Sequence, residues 1–205
     1  MGATLLIDHL KNKPVQERAA WYRVAKDRHP NKRWHEYFLE KDEEILHQLN
    51  QIQRLDREEK KKIDGFLSRL KDEMIEEIRG EIEKIPMLVA INGERLVEWG
   101  ASLGAILAVD LKMAQIRRLL GAMMRIEASI RSGNSNDFRR DDVEYLRIYL
   151  AYAAGRKKEV RPLLAVLDPM IRKVRKGSDG KADFQQIVRF VRAIVAYHKF
   201  YGGAE

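Results

Sequence analysis

Between Asn31 and Ile85 the apolar residues return at steps of three and four: Trp34, Phe38, Ile45, Leu49 and Ile52, then Ile63, Phe66, Leu70, Met74, Ile78, Ile82 and Ile85. That spacing places them on one side of an α-helix, and the stripe lapses only between Leu55 and Ile63. Asp56, with Glu59 three residues on, resembles a capping box, so two consecutive helices are predicted rather than one rod, joined as a hairpin or a bent coiled coil. Pro14, Pro30 and Pro86 mark boundaries, because proline lacks a backbone donor and restrains its predecessor. Beyond Pro86 the pattern predicts five shorter helices, near 94–109, 112–132, 141–155, 158–176 and 183–200. Turn formers separate them: Asn92-Gly93, Gly133-Asn134-Ser135-Asn136, Gly155 and Gly177-Ser178-Asp179-Gly180. Asp168-Pro169 reads as an N-cap followed by a first-turn proline, which would divide the fourth of these helices. No alternating strand pattern occurs. The expected fold is all-α, a bundle of about five helices over residues 87–205, preceded over residues 1–86 by a long helical hairpin or coiled-coil extension.

Composition agrees with long helices bearing charged outer faces: 34% of the 205 residues are charged and only five are proline. The absence of cysteine closes disulfide, thiolate-metal and cysteine-nucleophile chemistry. No stretch approaches the roughly 18 apolar residues of a membrane span and no signal peptide is legible, so a cytoplasmic protein without membrane attachment is expected.

Charge placement changes the picture more than its total. Residues 1–85 carry 18 basic and 18 acidic side chains, whereas residues 86–205 carry 21 and 13, so the whole formal excess of +8 sits in the second part. Such a field attracts polyanions, chiefly nucleic acid.

Catalytic chemistry finds no foothold. The histidines, at 9, 29, 35, 47 and 198, do not pair at metal-ligand spacing, and His35-Glu36 lacks the second histidine of a zinc helix because position 39 is Leu. Phosphate loops, dinucleotide fingerprints and nucleophile elbows are missing. Carboxylates such as Glu43, Glu44, Glu76 and Glu77 lie on a balanced helix face. The reading is therefore a non-enzyme without metal or cofactor.

Helical wheels locate the cations. In the 112–132 helix Ile116, Leu119, Leu120, Met123, Ile126 and Ile130 take one side, leaving Arg117, Arg118 and Arg125 on another, with Arg131 at its edge. In the last helix Phe184, Ile187, Val188, Val191, Ile194 and Val195 form the buried stripe, and Arg189, Arg192 and Lys199 share a flank. The helix from 158 turns Leu163, Leu164, Leu167, Ile171 and Val174 inward and Arg161, Arg172, Lys173 and Lys176 outward. Three such flanks, if they converge, make one groove that neutralises several phosphates without reading sequence; the plain alternative is three solvated faces. Tyr149, Tyr152, Tyr197 and Tyr201 lie nearby, either to stack on bases or to sit half-buried. His198 falls on the apolar stripe of its helix, as a packed, hydrogen-bonded histidine would.

Three further segments carry a resemblance. Gln115-Ile116-Arg117 opening QIRRLLGAMMRIEASI (115–130), Ala151-Tyr152-Ala153-Ala154-Gly155-Arg156 closing LRIYLAYAAGR, and the terminal Ala-Ile-Val-Ala-Tyr-His-Lys before Gly202-Gly203 resemble the small subunit of the type III-A CRISPR effector, the Csm complex, over about residues 94–203. The resemblance implies a helical bundle without enzymatic activity, lining a ribonucleoprotein and touching guide RNA and target RNA through phosphate and ribose. Its implied partners are the backbone and large subunits and copies of itself. Gln115, Arg117, Arg118, Arg156 and Lys199 are the implied RNA contacts, and the basic flanks add Arg125, Lys157, Arg161, Arg172, Arg189 and Arg192. Two features depart from the family pattern. Lys112, Met113 and Ala114 stand where relatives carry a Ser or Thr N-cap, leaving Asp110 or a backbone arrangement to serve, and residues 1 to about 85 have no counterpart. That neutral, amphipathic extension favours protein contact. Two other functions remain open on the residues alone: a helical DNA-binding regulator and a coiled-coil scaffold.

Overall fold

The computed structural model describes residues 10, 12–26, 57–132 and 138–205. The described residues form seven α-helices, here numbered α1 (Val15–Lys26), α2 (Arg57–Lys84), α3 (Gly93–Leu107), α4 (Met113–Ser132), α5 (Arg140–Arg156), α6 (Arg161–Arg172) and α7 (Gly177–Phe200), with short 3-10 turns at Leu88–Ala90 and Lys158–Val160. None of them is in a strand, and no helix among them is long and apolar enough to cross a membrane. The expected helices near Trp34 to Ile52, the Asp56 cap and the boundary at Pro30 lie outside the described residues.

Helix α3 is the axis of the bundle because its sequence leaves it no polar face over its second half. Every residue from Trp99 to Leu107 is buried, as a helix apolar on all sides must be. Asn92 caps its start, the side-chain oxygen accepting from the Arg95 N–H at 2.8 Å. On one side α3 meets α1, and on another it crosses α7 in the most extensive helix contact among the described residues. Gly100 and Gly104 set the spacing of that crossing. A methyl group at Gly100 would stand 2.6 Å from Cβ of Ala193, and one at Gly104 would stand 2.9 Å from the backbone nitrogen of His198.

The stripe from Ile63 to Ile82 forms a single 28-residue helix, α2, whose buried face packs against α1 and α6. Its apolar surface is thus taken up within this chain: residues of α1, α2 and the remaining helices belong to one continuous core. Polar ties reinforce it, with Trp99 Nε1–H donating to Glu81 of α2 at 2.8 Å. Lys173, expected on an outer flank, instead turns back to cap α2, its ammonium donating to the carbonyls of Glu83 at 3.1 Å and Ile85 at 2.8 Å.

Helix α1 has no counterpart in the hydrophobic pattern read above. Eight of its twelve residues are buried, Arg18 and Arg23 among them, and those two arginines break the apolar stripe. Arg18 pairs with Glu77 of α2, and Arg23 Nε donates to the carbonyl of Tyr201 at 3.0 Å.

One expected break is absent and another is displaced to residues 173–176. Helix α6 runs through Asp168-Pro169. Asp168 does not cap; it accepts from Arg147 Nε of α5 at 2.7 Å and pairs with Arg172. Helix α7 begins at Gly177, not at 183, so Gly177-Ser178-Asp179-Gly180 forms its first turn. The glycines there serve conformation and packing: Gly177 has φ +65, and Gly180 lies so close to the Arg175 carbonyl that a Cβ would approach it to 2.0 Å. The turn is locked by fully buried Asp183, which accepts from Arg175 Nε at 2.8 Å and from its backbone N–H at 3.2 Å.

The last residues close the bundle. Helix α7 stops at Phe200, and Gly202 at φ +68 turns the chain back across the helix end. Gly203 lies flat on the His198 ring and its N–H donates to the His198 carbonyl at 2.9 Å. His198 is the packed histidine that its stripe position foretold, with Nε2 2.7 Å from the Leu111 carbonyl. The N-terminus of α4, which lacks a Ser or Thr cap, is served by backbone: the Met113 N–H donates to the Ala204 carbonyl at 2.8 Å.

Candidate nucleic-acid interface

Helix α4 presents Gln115 and Arg118 one turn apart on the flank that faces α5. Helix α5 brings Tyr149, Tyr152 and Arg156 to the same side at steps of three and four. Lys157 then takes an extended conformation, φ −139 and ψ 112, which ends α5 and swings the chain into the 3-10 turn before α6. These six residues line a cleft of about 310 Å³ floored by Leu111, Leu119 and Leu150.

Among the described residues no carboxylate lines this cleft. Arg118 and Lys157 are exposed and form no ion pair with the described residues. Arg156 is held by its own helix, donating to the Tyr152 hydroxyl at 3.4 Å with its guanidinium 5.7 Å from the Tyr152 ring centroid. Three cations at the C-terminal end of α5 and the first turns of α4, with aromatic hydroxyls and an amide beside them, offer donors to an anion and leave their charge uncompensated.

Two other clefts have a different character. One of about 510 Å³, between α2, α3 and α6, mixes Lys71 and Arg161 with Asp72, Glu76, Asp110 and Glu159. The other, between α2, α5 and α6, is lined by ion-paired groups: Arg79 with Glu83, and Arg147 with Glu144 and Asp168. Hydrogen bonds donated to Asp168 and Glu144 raise the Arg147 pKa above its ordinary value.

The three basic flanks drawn from the sequence therefore separate. Gln115, Arg118, Arg156 and Lys157 come together. Arg125 continues the outer face of α4 two turns beyond Arg118 and is exposed. Arg117 turns to the opposite flank, where it and Lys199 share the carboxylate of Glu205. Those contacts hold the Glu205 pKa below the usual carboxylate range, the Lys199 hydrogen bond contributing most. Arg192 of α7 pairs with Glu127 of α4 at 3.0 Å, and Arg189 is exposed one turn earlier. Arg172 pairs with Asp168, and Arg161 opens on the mixed cleft. The wheels gave the outward direction of these cations, Lys173 excepted; the crossing of the helices sends those directions to different faces.

The tyrosines divide likewise. Tyr149 and Tyr152 reach the cleft, but Tyr201 is buried and packs with Phe200 and Tyr197 in a ring cluster, the Phe200–Tyr201 centroids lying 5.1 Å apart. Missed in the sequence were Tyr145 and Ile148, both strongly exposed on the same side of α5. The signal was present, since positions 145, 148, 149 and 152 fall on one face opposite Val143, Leu146, Leu150 and Ala154.

An all-α protein with a tyrosine-rimmed cationic cleft, free of carboxylates among the described residues, is the class that this fold and surface define. A protein-family model described as Csm2 Type III-A matches residues 90–204, and the chain belongs to that family, as a small subunit of the type III-A Csm complex. It is also similar to the "CRISPR system Cms protein Csm2" of Streptococcus thermophilus, with 32% identity over 95 residues, covering 46% of this chain and 76% of the relative. No solved structure matches the chain. Every residue of the cleft falls inside the matched segment.

Proposed function

We propose that this small subunit is a non-catalytic RNA holder, and that the α4–α5 cleft is where it grips the ribose-phosphate backbone of the guide RNA and target RNA. The carrying observation is the cleft's lining: Arg118, Arg156 and Lys157 with Gln115 and two tyrosines, and, among the described residues, no acidic one to neutralise them. Phosphate contacts of this kind do not discriminate sequence, which suits a component that must accept any guide. Arg125 extends the cationic surface along α4 and adds a further contact. The paired cations Arg117, Arg172, Arg192 and Lys199, together with Arg161 and Arg189, occupy faces suited to the other partners: backbone and large subunits of the complex and further copies of this chain.

Support for a non-catalytic role comes from the residues themselves. Among the described residues no three His, Asp or Glu side chains are grouped to hold a metal, and the one histidine, His198, is sealed in the core away from the cleft. The work assigned to the subunit, in the cytoplasm, is positioning.

The test is RNA affinity against salt for the wild type and for the Arg118→Ala/Arg156→Ala/Lys157→Ala variant. Each lost phosphate contact lowers the log–log slope by about 0.7 on a single strand, so the triple variant loses about 2. An unchanged slope in a folded variant refutes the cleft as the RNA site.

A further inference from the structure

The exposed face of α5 does not end at the cleft. Tyr145 is 66% exposed, Ile148 64% and Tyr152 65%, with Tyr149 between them. Large apolar side chains standing this far into solvent in a row, on a helix whose other side is fully packed, mark a contact surface. From Tyr145 to Tyr152 the row runs seven residues, about 10 Å along the helix axis.

The row leads directly into the cations. Its last ring, Tyr152, carries the Arg156 guanidinium above it, and Tyr149 and Tyr152 also line the cleft with Arg118 and Lys157. At the other end Glu144 is occupied by Arg140 and Arg147, and Asp141 and Asp142 stand in the first turn of α5, before the row begins. A nucleotide strand has use for both halves, rings for its bases and cations for its phosphates.

We infer that Tyr145, Tyr149 and Tyr152 form a stacking platform for unpaired nucleotides, with Ile148 filling the space between rings. The inference rests on the α4–α5 cleft as the backbone site and adds to it the state of the strand. Bases inside a duplex have their faces covered by their neighbours, so the platform selects single-stranded or unstacked positions over paired ones. Ring faces accept all four bases, so this contact is also indifferent to sequence.

The discriminating ligands are a labelled oligoadenylate RNA and an abasic ribose-phosphate strand of the same length, bound to the full chain and followed by fluorescence anisotropy. The wild type should bind the oligoadenylate at least about 10-fold more tightly than the abasic strand. Tyr145→Ala/Tyr152→Ala should abolish that difference, and Tyr145→Phe/Tyr152→Phe should retain it. Both residues are about two-thirds exposed, so neither change disturbs the core. The Arg118→Ala/Arg156→Ala/Lys157→Ala variant should weaken both strands in parallel. Equal wild-type affinity for the two strands, or a difference that survives in the alanine variant, overturns the platform and leaves the cleft standing. Failure of both strands to bind overturns the cleft and the platform together. Loss of association with another Csm subunit in the alanine variant, without change in RNA affinity, assigns the face to protein instead.

Discussion

Replacing Gly104 by alanine tests whether the α3–α7 crossing is set by glycine. In an ordinary exposed helix Gly→Ala stabilises by about 1 kcal/mol, because alanine has the better helix propensity. At Gly104 the added methyl would meet Tyr197 Cβ at 2.8 Å, the His198 nitrogen at 2.9 Å and the Ile194 oxygen at 3.1 Å, where ordinary contact begins at 3.4 Å. Two of those three atoms belong to the α7 backbone, so no rotamer change relieves them and the helix itself must retreat by roughly 0.5 Å. A gap of that size forfeits a quarter or more of each dispersion contact along the interface. Overpacking costs about 1–3 kcal/mol, and an unyielding backbone favours the upper end. With helix propensity set against it, the net loss is about 2 kcal/mol, a fall in Tm of about 4–8 °C for a chain of this size. Gly80→Ala in α2, where nothing lies within 4 Å of the new methyl, is the matched control and should raise Tm by a few degrees. Scanning calorimetry on the two variants decides. If Gly104→Ala melts at or above the wild type, the close-approach account of this crossing is wrong.

Two further outcomes concern buried polar groups. Burial lowers the His198 pKa from its ordinary 6.5, outweighing its bond to the Leu111 carbonyl, and Nδ1 has no partner in the core. The folded state thus binds this proton less readily than the unfolded chain, so the contribution of neutral His198 is whole above about pH 6.5 and is lost as pH falls through the folded-state value. Urea midpoints should decline on acidification more steeply for the wild type than for His198→Gln, and parallel pH curves would sink this account. Arg175→Ala would strand the carboxylate of fully buried Asp183, at a cost of about 3 kcal/mol in chemical denaturation; a loss under about 1 kcal/mol would show that the pair is not what closes the α6–α7 turn.

The parts of the fold that were legible in the sequence are those where burial follows helical periodicity. Helices α3 to α5 fall within a few residues of their expected bounds because their apolar positions keep step and their ends carry Asn92 or a break beyond Arg156. Helix α1 was illegible because its burial includes two arginines whose partners, Glu77 and the Tyr201 carbonyl, are distant in sequence. Gly177 and Gly180 read as a linker because positive φ and close packing use the same residue as a flexible turn. For the cleft, the wheel supplied the direction of each cation but no wheel knows how two helices cross. Arg118 and Arg156 meet across α4 and α5, while Arg192 reaches Glu127 on the far side of α4. Tyr145 and Ile148 escaped notice because large apolar and aromatic residues on a helix are ordinarily assigned to the interior.

Arg23 also bears on how the chain is made. Its guanidinium donates to the carbonyl of a residue 178 positions further along, and α1, which carries it, rests on the helix that α7 later crosses. On the ribosome this acceptor is made 178 residues after its donor, so the contact forms only once both have emerged. Contacts of such long reach place completion of the interior late in the protein's birth, after α7 has been released.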